Sequence, residues 1–259
     1  MQDKELETGE ESRRKKVKNK GIYLLPNLLT SGCLFGGFYS IVACLDGRYE
    51  VAAFAIIISG VLDGLDGRIA RLTNTTSKFG SEYDSLADMV AFGLAPGILI
   101  FTWALRPFGR YGWLAAFLFV VCAALRLARF NVQINTVESK RFKGLPTPAA
   151  AGLVASTVLI FFYLGEYEIA KNVTVLIMVY VLAFLMISNV KYYSFKELSL
   201  SQRMPFRLLV AMILLFLLIV AEPPVMLFVL TFGYMISGPL TGLIIRFRRY
   251  TSKSGRLKE

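Results

Sequence analysis

"LDGLDGRIARLTNTTSKFGSEYDSLADM", residues 62–89, carries four aspartates inside an otherwise apolar chain. Asp63 and Asp66 are three residues apart, and Asp84 and Asp88 are four apart. Either spacing puts both carboxylates on one face of a helix. The intervening "TNTTSKF" is polar and turn-like, so the stretch reads as the junction of two antiparallel helices that can aim both acidic pairs at one point. A carboxylate at mid-span costs roughly 2.5–3.5 kcal/mol on insertion scales. Reaching for interfacial water accounts for any one of the four. It does not account for two pairs at helical spacing with Arg and Gly between them.

The surrounding chain sets the class. It has 259 residues, 55% of them hydrophobic, and a mean hydropathy of +0.56. Apolar runs near the length a bilayer core demands recur from end to end. Eight spans are expected, at 26–45, 51–70, 82–105, 112–130, 147–165, 172–190, 206–221 and 225–244. The chain is therefore expected to be an all-α polytopic membrane protein. With the N-terminus placed in the cytoplasm, 25 of the 29 Lys and Arg residues fall on the cytoplasmic side. Arg48, Arg106, Arg110 and Lys171 are left on the other. This positive-inside bias puts both termini and the aspartate junction in the cytoplasm. The net charge of +11 thus follows topology rather than a soluble basic face, and no nucleic-acid partner is expected.

Residues 1–20 form a polar tail, acidic and then basic. It reads as a solvated, orientation-fixing segment or as a contact for anionic headgroups. The first apolar run is too long and too late for a cleavable leader, and none is expected. Cys33, Cys44 and Cys122 are scattered in apolar spans without metal-ligand spacing and read as small hydrophobes. The chain has no histidine, so a general base must be a carboxylate, Lys, Tyr or Cys.

Four converging carboxylates call for cations. Hard oxygen donors suit Mg²⁺, Mn²⁺ or Ca²⁺, and paired metals on shared carboxylates serve phosphoryl transfer. Arg71 is placed to pair with a phosphate. Gly60 and Gly64 fit close helix packing, whereas Gly67 and Gly80, beside the acids, leave backbone open to a ligand.

The pattern D-x2-D-G-x2-A-R-x8-G-x3-D-x3-D is filled without a gap by Asp63, Asp66, Gly67, Ala70, Arg71, Gly80, Asp84 and Asp88. It resembles the signature of the CDP-alcohol phosphotransferases. The resemblance implies a six-helix core, here with two extra C-terminal spans. Residues 1–20 would be the tail, 21–190 the catalytic core and 191–259 the addition. It implies displacement of CMP from a CDP-linked substrate by a hydroxyl, with two divalent ions, Mg²⁺ or Mn²⁺. Asp63, Asp66 and Asp84 would be metal ligands. Asp88 would be the base and a possible further ligand. Gly67, Ala70, Arg71 and Gly80 would line the CDP site. A homodimer is also implied.

Two further stretches bear on the acceptor. In "LLPNLLTSGCLFGG", residues 24–37, Asn27 and Thr30 lie one turn apart. They read as capping residues or, by the resemblance, as nucleotide contacts. "ALRLARFN", residues 124–131, and "KRFKGLPTPAAAG", residues 140–152, supply Arg126, Arg129 and Lys143. These are either positive-inside anchors or a basic pocket for a carboxylate or phosphate. The combination resembles the membrane-integral phosphatidylserine synthase branch of the family. That branch implies CDP-diacylglycerol and L-serine as substrates among membrane lipids. Glycerol phosphate, inositol phosphate and choline are the alternative acceptors. A cation-coupled transporter is the alternative from another class. Its sites would sit near mid-bilayer on inverted repeats, and no such repeat is visible here.

Overall fold

The computed structural model describes residues 25–73, 77–133, 142–165, 172–192 and 217–255, with the single positions 210 and 214. Side chains of residues 133, 142, 143, 191 and 243–255 are outside that description. The expected tail 1–20 and most of the span expected at 206–221 also fall outside it.

The architecture is a bundle of apolar helices. Helix α1 runs Leu25–Leu45 and α2 Tyr49–Leu72. Between them Gly47 takes φ +72°, with Gly47 N–H bonding Cys44 O and Arg48 N–H bonding Ala43 O. That pairing is a Schellman cap, and it turns the chain back on itself in three residues. The two helices touch closely. A Cβ at Gly36 would meet the Ser59 hydroxyl, and Ser59 Oγ donates to Cys33 O and Ala55 O.

Helix α3, Lys78–Phe108, is a single span of 31 residues. Ser77 caps it by accepting from the Gly80 N–H at 3.0 Å. Its backbone widens twice into π-turns, at Met89–Leu94 and Phe101–Leu105. Each π-turn ends two residues before a proline, Pro96 or Pro107. Proline cannot donate to the helix ladder and crowds the carbonyl four residues back; a wider turn relieves both. The first π-turn starts directly after Asp88.

Helix α4, Arg110–Gln133, packs on α3 and on α6, Val173–Ile187. Helix α5, Thr147–Tyr163, is the centre of the bundle: every residue from Ala150 to Leu159 is buried. It touches α2, α3 and the last helix, α7, Pro223–Gly255. The short strands β1, Phe142–Lys143, and β2, Lys191–Tyr192, pair antiparallel, Phe142 opposite Tyr192 and Lys143 opposite Lys191. The last expected span of the core, 172–190, therefore ends sooner: Ser188 leaves helical geometry and leads into this ladder.

By length and composition α1, α3, α4 and the Pro223–Gly242 part of α7 can each cross a membrane. Helices α5 and α6 are shorter apolar helices. Helix α2 is long enough, about 36 Å, but carries Asp63, Asp66, Arg68 and Arg71 in its second half. Phe35, Phe38, Phe54, Ile58, Phe117 and Phe184 point outward and exposed. An outer surface of this kind suits lipid and not water. The all-α polytopic membrane class is thus what the chain forms.

Helix α7 runs antiparallel to α5. Tyr163, at the end of α5, lies near Glu222 just before α7. Ser156 and Thr231 share a 3.0 Å hydrogen bond at mid-length. The beginning of α5 then lies beside the part of α7 that follows Thr231.

Candidate active site

Helices α2 and α3 deliver the four aspartates from opposite directions. One carboxylate oxygen from each of Asp63, Asp66 and Asp84 lies within 4.8 Å of the others. Asp66 is buried, and its Oδ2 accepts a 2.8 Å hydrogen bond from Thr30 of α1. Asp88, one turn beyond Asp84, is within electrostatic reach of Asp63, Asp84, Asp66 and Arg126. Its Oδ1 is buried with no hydrogen-bond partner. Mutually repelling carboxylates, one holding an orphaned oxygen, fit hard divalent cations and would be costly without them. The spacing that predicted two convergent acidic pairs is realised.

Gly67 is open as expected, but Gly64, expected to serve packing, is equally open, and Gly80, expected to be open, is hemmed in by Ser77 Oγ at 3.1 Å. A Cβ added at Gly64 or Gly67 would meet nothing within 4 Å. Across the cleft, Asn27 Oδ1 is 3.4 Å from where a Cβ on Gly80 would lie. Asn27 and Gly80, expected to share one ligand from two helices, are thus neighbours. Ala70 is half-buried and Arg71 exposed on the same end of α2. Thr30 directs its hydroxyl at Asp66, not into the open space.

Two of the three basic candidates are held by separate contacts. Arg126 Nη1 donates to Thr147 Oγ1 at 3.1 Å, and its Nε is buried without a partner. Arg129 Nη2 donates to Asn189 Oδ1 at 3.0 Å. Lys143 sits in β1, and its side chain is outside the described residues. Several neighbours were not singled out from sequence. Ser31 and Tyr83 bridge α1 to α3 at 2.8 Å. Ser85 and Asn131 bridge α3 to α4. Tyr234 of α7 is in electrostatic reach of Arg126. Asn131 and Thr147 belong to the quoted "RLARFN" and "GLPTPAAAG" stretches, which could have pointed to them. Tyr234 has no such local signal.

A membrane helix bundle with a carboxylate cluster fit for metals, beside an open glycine-lined helix face, defines an integral membrane enzyme of phosphate-group transfer. The chain belongs to the CDP-alcohol phosphatidyltransferase family, which matches it over residues 23–187. Among its relatives are two Helicobacter pylori proteins named CDP-diacylglycerol–serine O-phosphatidyltransferase. That of strain 26695 is 38% identical, covering 90% of this chain and 97% of the relative. That of strain J99 is 42% identical, covering 75% and 82%. The archaetidylserine synthase of Methanothermobacter thermautotrophicus is 38% identical over 65% of this chain and 69% of its own.

Proposed function

We propose that this chain transfers the phosphatidyl group of CDP-diacylglycerol to the hydroxyl of L-serine and releases CMP. The carrying observation is the convergence of Asp63, Asp66 and Asp84 with Asp88 against the open face at Gly64 and Gly67. The names and coverage of the Helicobacter relatives support serine as the acceptor.

In this reading Asp63, Asp66, Asp84 and Asp88 would hold two divalent ions, Mg²⁺ or Mn²⁺. When bound, such ions neutralise the pyrophosphate and stabilise the departing oxygen. Asn27, Gly67, Ala70, Arg71 and Gly80 line the CDP group, with Thr30 behind Asp66. Arg71 pairs with phosphate as a fixed charge. Asp88 takes the serine hydroxyl proton. The serine oxygen attacks the lipid-side phosphorus as the bond to the CMP oxygen breaks, and the acids and bases are held in place beforehand. Arg126, with Arg129 and Lys143 near it, receives the serine carboxylate. The site lies at the cytoplasmic membrane edge, where a soluble amino acid and a lipid can meet. The family resemblance extends to a homodimer, which light scattering in detergent measures.

The test is turnover by purified protein with CDP-diacylglycerol and L-serine, followed as CMP release. Glycerol phosphate, inositol phosphate and choline serve as competing acceptors. Activity should vanish with EDTA and return with Mn²⁺ or Mg²⁺. Asp88→Asn should lose about 10²–10⁴-fold in kcat, the range for a positioned base. Near-normal turnover in that variant, or preference for another acceptor, would overturn the reading.

A further inference from the structure

The acidic stripe of α3 runs between two side-chain bonds to other helices. On a helix turning about 100° per residue, Asp84 and Asp88 lie about 40° apart. Tyr83 falls about 100° to one side of Asp84, and Ser85 about 60° beyond Asp88 on the other. Each flank is fastened. The Tyr83 hydroxyl shares a 2.8 Å hydrogen bond with Ser31 Oγ of α1. Asn131 Nδ2 of α4 donates to Ser85 Oγ at 3.0 Å.

The serine protons fix the direction of both bonds, because a hydroxyl has only one to give. Ser31 Oγ donates to Asn27 O at 2.8 Å, which leaves it the acceptor of the Tyr83 proton. Ser85 Oγ is 3.0 Å from Ser81 O and 3.2 Å from Asn131 Oδ1. With its proton on the nearer carbonyl, it accepts from Asn131. Each serine thus gives its proton to its own helix and takes one from a neighbour. Tyr83 and Asn131 are the two donors.

The bonds act on a separate piece of helix. The backbone widens into the π-turn Met89–Leu94 directly after Asp88, so Lys78–Asp88 is an 11-residue head on α3. An Asp84 carboxylate oxygen lies within 4.8 Å of those of Asp63 and Asp66 on α2. Like charges this close repel. Turning the head about its axis would relieve the repulsion and pull the carboxylate set apart. The bond to α1 holds one flank against that turn, and the bond to α4 holds the other.

We propose that Tyr83 and Asn131 are positioning residues for the carboxylate set. As a pair they fix the rotation of the α3 head, so that Asp84 and Asp88 face Asp63 and Asp66 before any cation arrives. The proposal rests on the reading of those aspartates as ligands of divalent ions. Ligands held in place beforehand bind more tightly without any added contact.

The test uses full-length protein in detergent, without substrate, and Mn²⁺ alone. Melting temperature is followed as Mn²⁺ is raised for wild type, Tyr83→Phe, Asn131→Leu and Ser156→Ala. Wild type should melt higher as the ion binds. Tyr83→Phe keeps the ring stacked on Phe79 and loses the donor. It and Asn131→Leu should each need about tenfold more Mn²⁺ for half of the rise, the lower end of the range for groups that orient a metal ligand. Ser31→Ala and Ser85→Ala open the same two bonds from the other side and should repeat those shifts, so a variant that fails to fold has a substitute. Ser156→Ala loses a bond between helices of the same kind, to Thr231 at 3.0 Å, but far from the aspartates. Its Mn²⁺ midpoint should stay within about twofold of wild type. A lower metal-free melting temperature in Tyr83→Phe and Asn131→Leu with unchanged midpoints would reduce both bonds to packing and overturn the proposal, while the ion reading stands. An equal midpoint shift in Ser156→Ala would overturn it too. A wild type whose melting ignores Mn²⁺ would overturn the ion reading itself, and the proposal with it.

Discussion

A threonine hydroxyl has one proton to donate, and Thr30 has two acceptors within reach. Pro26 O is at 3.1 Å and Asp66 Oδ2 at 2.8 Å. The shorter bond, to a carboxylate, is the stronger, because a charged acceptor roughly doubles the strength of a hydrogen bond. Thr30 is buried, so no water replaces it. Its task is to aim Asp66, and groups that orient a metal ligand are typically worth 10–100-fold in metal affinity. Thr30→Val keeps the shape and removes the proton. A Mn²⁺ titration of its CMP release should give a half-saturating concentration about 10–100-fold higher, with Thr30→Ser close to wild type. An unshifted titration in Thr30→Val would return Thr30 to helix packing alone.

Two glycines separate what the helices need for packing from what the cleft needs for ligand. A Cβ at Gly37 on α1 would come within 2.6 Å of Ala91 Cα and 2.9 Å of Ala91 N. Those are backbone atoms of the π-turn that follows Asp88, and they cannot swing aside. Gly37→Ala should therefore push α1 off α3, at the ~1–3 kcal/mol typical of overpacking, read as a lower melting temperature. Gly67 on α2 meets nothing within 4 Å, so Gly67→Ala should melt no earlier than wild type and even gain from helix propensity. Its KM for CDP-diacylglycerol should nevertheless rise several-fold, since the methyl group occupies the proposed nucleotide face. A melting loss in Gly67→Ala with an unchanged KM would reverse these assignments. The same contrast explains what sequence could disclose. The acidic pairs were legible because helical spacing is local: residues three or four apart share a face whatever else the chain does. Asn27 beside Gly80 was legible only through the family resemblance. The β1–β2 ladder, the Ser85–Asn131 bridge and the Ser156–Thr231 bond depend on which helices pack together, and two-residue strands carry no periodicity to read. The π-turns left only their prolines as a trace.

At the scale of the molecule, charge and packing make one statement about how often the chain crosses the bilayer. The basic residues fall on one side only if the number of crossings is even. Counted as one crossing each, the described helices α1 to α7 supply seven, four of them long and apolar enough by themselves. The ends of α6 and α7 that the intervening segment joins lie at opposite ends of α5. Helix α7 starts beside the end of α5, at the Tyr163–Glu222 contact. Helix α6 finishes at the opposite end, where the β1–β2 ladder ties Tyr192 to the residues leading into α5. Between Tyr192 and Pro223 the sequence holds the apolar stretch 206–221, expected from the sequence to be a span. The termini are then expected on the same side, together with Asp63, Asp66, Asp84 and Asp88. A fluorescent protein fused after Glu259 should fluoresce, and alkaline phosphatase fused there should be inactive. Phosphatase inserted near Arg110, at the opposite end of α3 from the aspartates, should be active. An active phosphatase at the C-terminus beside a cytoplasmic N-terminus would mean an odd number of crossings. It would also reverse α7 against α5 and break the Ser156–Thr231 bond.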